Sequence, residues 1–198
     1  ARGQSAGDGQ ENQICAGEMT KWFDTNYHYI VPEFDAATEF CLDAGALLDQ
    51  VQEAQKADIK AKPVIVGPVT YLFLGKADHF DKKTLLEKLL PEYTRLLTLL
   101  ADHDVEWVQL DEPLLVTDLD NDWQQMVEQA YGVLGKGPVN IMLATYFGAL
   151  DDNLDLVLSL PVQALHIDGV RGKDQVPVLV SRLPEQMDLS LGVIDGRN

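Results

Sequence analysis

Five short runs of apolar, largely β-branched residues punctuate the chain at 63–66, 105–110, 139–143, 162–167 and 189–194. Runs of this length, bounded by polar or turn-forming residues, are the pattern of buried strands. Between them the apolar positions change period. Phe40, Ala44, Leu47, Leu48 and Val51 share one helical face ahead of the first run. Leu85, Leu86, Leu89, Leu90, Tyr93, Leu96, Leu97 and Leu100 do so ahead of the second. Pro91 interrupts this second pattern, removing an amide donor and crowding the preceding turn, which predicts a kink or two successive helices. Shorter helices are predicted over 122–134, 151–160 and 174–183, with Asp151 and Asp152 placed to cap the second of these. Residues 1–17 contain Gly3, Gly7, Gly9 and Gly17 and almost nothing apolar, so they are expected to be a flexible segment, with regular structure starting near Glu18.

Strands alternating with helices every roughly 25–40 residues call for a parallel sheet with right-handed crossovers. Two architectures satisfy that, an open doubly wound sheet and a barrel. No G-x-G-x-x-G or phosphate-binding loop follows any predicted strand, which disfavours the nucleotide-binding version. Polar residues do gather just beyond the strands: Asp111 and Glu112, Thr145 and Tyr146, His166 with Asp168, and Asp195. A barrel collects such positions around one mouth. A complete barrel needs about eight strands and about 250 residues. The expectation is therefore a partial (β/α)8 TIM-type barrel of about five parallel strands with intervening helices, occupying residues 18–198 and truncated at both ends.

Charge narrows the choice of partners. The 198 residues carry 15 Lys and Arg against 32 Asp and Glu, a formal charge of −17. Such a field repels phosphate backbones and anionic membranes, and the basic clusters Lys56, Lys60, Lys62 and Lys82, Lys83 fit solvated helix ends, so neither nucleic acid nor membrane is an expected partner. Cys15 and Cys41 lack metal or redox spacing, and His28, His79, His103 and His166 stand far apart, so no zinc motif is predicted. No apolar stretch approaches the ~20 residues needed to cross a bilayer, and the first residues do not resemble a secretion leader. The expected location is cytoplasmic.

Two groups of residues have chemical potential. Asp111, Glu112, His166 and Asp168 are acid/base candidates, since carboxylates crowded at a barrel mouth push each other's pKa values apart. Glu112 with Asp168 would suit a glycoside hydrolase. The opposing reading has them accepting backbone amides, and His166, between Leu165 and Ile167, as a hydrogen-bonded structural residue. Residues 18–33 differ in kind: Trp22, Tyr27 and Tyr29 crowd together with Lys21 and Asn26 in a stretch of neither clean helical nor clean strand period. On the residues alone it serves equally as a recognition loop, with Lys21 meeting an anion and Asn26 offering donor and acceptor, or as an aromatic plug closing the barrel.

Residues 18–33 closely resemble a signature of the cobalamin-independent methionine synthases, the 5-methyltetrahydropteroyltriglutamate–homocysteine methyltransferases. The stretches 62–70, 106–113, 145–147, 160–168 and 192–198 resemble the same family in the same order. The family is built from two similar barrels, and the resemblance places this chain in the middle and later part of the N-terminal one. It implies that the zinc and homocysteine ligands belong to the C-terminal barrel, with none of them in this chain. It further implies that Lys21 and Asn26 contact the folate polyglutamate, 5-methyltetrahydropteroyltri-L-glutamate, and that the acidic mouth packs and caps without catalysing. Expected partners are that substrate and the C-terminal barrel of the same enzyme, with the chain inactive alone. The remaining alternatives are a hydrolase using Glu112 and Asp168, and a non-catalytic half-barrel whose open sheet edges pair with another copy.

Overall fold

A five-stranded parallel sheet, flanked by helices, organises the computed structural model, which describes residues 17–77 and 80–195. The flexible segment expected over 1–17 lies outside these except for Gly17. In chain order the elements open with β1 (Met19–Lys21) and β2 (His28–Ile30), an antiparallel hairpin pairing Lys21 with His28. Then follow β3 (Glu33–Phe34), α1 (Gly45–Lys56), β4 (Val64–Val66), α2 (Pro68–Leu74), β5 (Lys76–Ala77), which pairs with β3, and α3 (Lys82–Asp102). The chain continues through β6 (Trp107–Asp111), α4 (Asn121–Leu134), β7 (Asn140–Ala144), α5 (Leu154–Ser159), β8 (Ala164–Asp168), α6 (Val176–Arg182) and β9 (Asp188–Gly192). The main sheet runs β4-β6-β7-β8-β9, every neighbouring pair parallel, as the strand–helix alternation predicts. It has the architecture of a partial TIM-type barrel, and β4 and β9 are each paired within it on one side only.

The pleat sorts side chains between two environments. Val108 and Leu110 of β6, Ile141 and Leu143 of β7, and Leu165 and Ile167 of β8 are buried in one apolar core with Leu85, Leu86, Leu97 and Leu100 of α3 and Val127 and Leu134 of α4. The opposite face carries the more polar set Trp107, Gln109, Asp111, Met142, His166, Asp168 and Ser190, in register across the strands and half-exposed. This is the face a closed barrel turns inward.

Several local expectations change. Pro91 sits inside an unbroken α3. Pro91 has no amide to donate to the preceding turn, but it lies on the exposed side, while seven buried leucines hold the helix across the gap. Residues 151–160 form a 3-10 turn, Asp151–Asn153, followed by the short α5. Neither Asp151 nor Asp152 caps the helix, and Asp151 itself has φ 43°. The helix predicted from residue 40 begins only at Gly45. The segment with no clean period contains the β1–β2 hairpin, whose strands are too short for a period to show. Helix α2 was not predicted: its Pro-Val-Thr-Tyr-Leu-Phe-Leu sequence favours a strand by composition, yet Pro68 at its start and burial of Val69, Thr70 and Leu72 impose a helix. No described helix is long and apolar enough to cross a membrane.

Candidate functional site

The hairpin folds back over the C-terminal ends of the main sheet, and a cleft of about 960 Å³ opens beneath it. Its walls come from Lys21–Tyr27 on one side and Tyr146, Phe147, His166, Asp168 and Arg171 on the other. The hairpin tip is shaped locally: the Trp22 amide donates to the Tyr27 carbonyl at 2.8 Å, and the Thr25 hydroxyl donates to the Trp22 carbonyl at 2.6 Å. Phe23 takes φ 45°, a left-handed turn that lets its ring fold down onto Phe147, stacked at 5.9 Å.

Three contacts anchor the tip to the sheet. The Phe23–Phe147 stack is the first. In the second, the Trp22 indole donates to the Tyr146 phenol, which itself donates to Asp111 Oδ2 at 3.0 Å, while Gln109 donates to Asp111 Oδ1 at 2.8 Å. Burial, reinforced by the Asp111 charge, holds the Tyr146 phenol above its ordinary pKa and so keeps it a donor. The third is the ion pair between Asp24 and Arg171 at 3.1 Å.

Asp168 builds the floor. Its Oδ2 accepts the Phe147 amide at 3.2 Å, and its Oδ1 accepts the Val170 and Arg171 amides at 2.9 Å each. The first of these holds Phe147 at φ 80°, a conformation unfavourable for a side chain of that size. His166 places Nδ1 2.8 Å from the Ser190 hydroxyl. Burial first, then the charge of Lys62, lowers its pKa against the opposing pull of Asp111 and Asp168, which favours the neutral ring.

Lys21 and Asn26 both line the cleft, both are exposed, and neither side chain has a hydrogen-bond or ion-pair partner among the described residues. The mouth carboxylates divide. Asp111 and Asp168 face the cleft side with their oxygens already bound. Glu112 does not reach it: it is fully buried, accepting the Val69 and Thr70 amides at 3.2 and 2.6 Å and the Tyr131 hydroxyl at 3.1 Å. A hydrolase pairing Glu112 with Asp168 therefore loses one of its two carboxylates, because a side chain sealed under α2 has no path to a substrate. Sequence reasoning missed Arg171. The signal was there in its position three residues beyond Asp168, in the turn after a strand end, where barrel mouths gather functional groups.

A second cleft, about 840 Å³ and lined by Val51, Ile59, Lys62, Trp107 and Met142, opens at the opposite, N-terminal ends of β4 and β6. That end of a barrel serves stability, so the hairpin cleft is the better candidate for binding.

The whole chain, residues 1–198, matches the family model described as the cobalamin-independent synthase N-terminal domain. Its structure is similar to that of a Listeria monocytogenes protein described as a vitamin-B12 independent methionine synthase, with a TM-score of 0.66 and 15% identity, covering 84% of this chain. The chain spans 56% of the length of that structure. The structural likeness supports the barrel fold, and the family match over every residue shows that the chain belongs to the N-terminal domain family of the cobalamin-independent methionine synthases.

Proposed function

We propose that this chain supplies the part of a cobalamin-independent methionine synthase that grips the polyglutamate tail of 5-methyltetrahydropteroyltri-L-glutamate, while methyl transfer to homocysteine takes place in a further barrel of the full-length enzyme. The observation that carries this reading is Lys21, a cation at the rim of a cleft with no acidic partner among the described residues, on a chain of net charge −17. Such a field opposes any polyanionic ligand, so binding one requires a local cation whose charge is not already neutralised. Each added glutamate brings one more carboxylate to meet it. Asn26 offers an amide donor and an acceptor to the same ligand, and the rings of Trp22 and Phe23, pinned to Tyr146 and Phe147, hold both residues over the cleft.

The described residues offer zinc no cradle. Among the described residues no three His, Cys, Asp or Glu side chains come together as a metal site, so these residues do not fit the metal.

Calorimetric titration with the triglutamyl and monoglutamyl forms of 5-methyltetrahydrofolate tests the proposal. Saturable binding that favours the longer tail is expected, and Lys21→Ala should weaken the triglutamyl form by about tenfold, within the range for loss of one charge-assisted contact. Absence of binding by a folded sample would overturn it. Because the transfer is assigned elsewhere, the purified chain should make no methionine from methyltetrahydrofolate and homocysteine. Product in that assay contradicts the division of labour.

A further inference from the structure

We infer that Arg171 is a second carboxylate-binding residue of the same cleft and that Asp24 occupies it as a built-in competitor, which a ligand carboxylate displaces. This rests on the reading of the cleft as a site for a tail of several carboxylates.

The ion pair between them is asymmetric. The Arg171 side chain is only 17% exposed, whereas that of Asp24 is 74% exposed. Arg171 is held from several sides without Asp24. Its guanidinium lies 5.4 Å from the centre of the Phe147 ring, its Nη1 donates to the Phe147 carbonyl at 3.4 Å, and its own amide is fixed by Asp168. Asp24 has only its position at the hairpin tip and the single contact through Nη2. Departure of Asp24 therefore leaves the guanidinium in place, aimed at the position a carboxylate oxygen has just vacated. A planar donor already positioned in this way loses little conformational entropy when it takes up an incoming carboxylate.

The charges around it favour exchange. Asp168 has spent its oxygens on three backbone amides, so its negative charge is compensated within the floor. Asp24 is the acid that Arg171 pairs with, and Lys21, on the same hairpin and lining the same cleft, has no acidic partner among the described residues. The monoglutamyl form, with fewer carboxylates, engages Lys21 and has fewer left to compete with Asp24 for Arg171. A ligand with several carboxylates on one chain engages Lys21 first, and its next carboxylate then competes with Asp24 at high effective concentration. The pair thus discriminates by tail length.

A merely structural ion pair predicts the opposite sign from a competitor, and this makes the idea testable. Asp24→Asn, an exposed and nearly isosteric change, should tighten triglutamyl methyltetrahydrofolate by about two- to fivefold, the range for removing an exposed ion pair that the ligand must break. It should change monoglutamate affinity by much less. Arg171→Lys, which keeps the charge but loses the planar fork, should weaken the triglutamyl form by about fivefold or more and abolish the benefit of Asp24→Asn in the double variant. Circular dichroism confirms folding of each protein.

If Asp24→Asn weakens the triglutamyl ligand or leaves it unchanged while Lys21→Ala still weakens it, the competitor role is refuted and the tail-binding reading stands. Should the unsubstituted protein and Asp24→Asn both bind neither form, the tail-binding reading fails and takes this inference with it. Tightening confined to the longer tail is the result that supports it.

Discussion

Alanine at Gly67 is expected to destabilise the protein by about 3 kcal/mol, as overpacking combined with loss of buried hydrogen bonds. Gly67 stands between β4 and α2 with φ −69°, ψ 152°, a conformation any residue adopts, so the cause is not backbone strain. The cause is space. A Cβ built there would lie 2.1 Å from Glu112 Oε1 and 2.2 Å from its Cδ. A solvent-exposed glutamate would swing aside, but this one is sealed and held by the amides of Val69 and Thr70 and the hydroxyl of Tyr131. Relieving the clash means pulling the carboxyl from those donors and leaving them buried and unpaired. Urea denaturation should show the midpoint falling by more than about 1 M at unchanged slope. Combining Gly67→Ala with Glu112→Ala should recover part of the loss, because the two side chains contend for one volume. A midpoint within error of the parent would mean that α2 shifts freely on the sheet.

Between about pH 4.5 and pH 7 the protein should lose about 3 kcal/mol of stability through Glu112 alone, on the conversion of about 1.4 kcal/mol per pKa unit. Burial raises this carboxyl from 4.5 to about 7 in the folded state, outweighing hydrogen bonds from the Thr70 side chain, the Thr70 and Val69 amides and Tyr131, each of which pulls it down. The sign follows from proton counting. In that interval the folded protein keeps the Glu112 proton and the unfolded chain has released it, so raising the pH favours the unfolded chain. The contribution is complete below about pH 4.5 and is gone once the pH passes about 7. Other acids of this chain also titrate, so the informative quantity is a difference: urea midpoints across pH 4 to 8 for the parent minus those for Glu112→Gln. Parallel curves would show that Glu112 is ionised at its ordinary pKa and that its four hydrogen bonds offset its burial.

The two predictions meet at one place, and that place explains the division of roles among the mouth carboxylates. Asp111 closes β6 and Glu112 follows it directly, and the alternation of faces carried past the strand end sends one toward the cleft and the other toward the helices. Asp111 ties Tyr146, and through it Trp22, to the sheet. Glu112 locks α2 over the core.

The main sheet was legible in the order of residues. Val108 and Leu110, and Leu165 and Ile167, alternate with polar neighbours at period two, and the long leucine series of α3 keeps its helical face across Pro91. Periodicity of that kind is local, and burial of one face enforces it. The placing of Lys21 and Asn26 among candidate site residues rested on resemblance, and both are exposed and line the cleft. What lay beyond the sequence were features whose energy comes from contacts distant along the chain. The strands of β1 and β2 are three residues each, shorter than any period can reveal. Helix α2 has strand-like composition and is helical because Gly67, Pro68 and the Glu112 carboxyl together fix its start. Arg171 is an ordinary turn arginine until Phe147, Asp168 and Asp24 surround it. Order of residues alone determined which segments bury a face and in what alternation they follow, since those depend on neighbours a few positions away. The tertiary structure alone decided which charges remain unpaired, because pairing depends on side chains that approach from more than twenty residues away, as Glu112 does to Thr70 and Asp24 to Arg171.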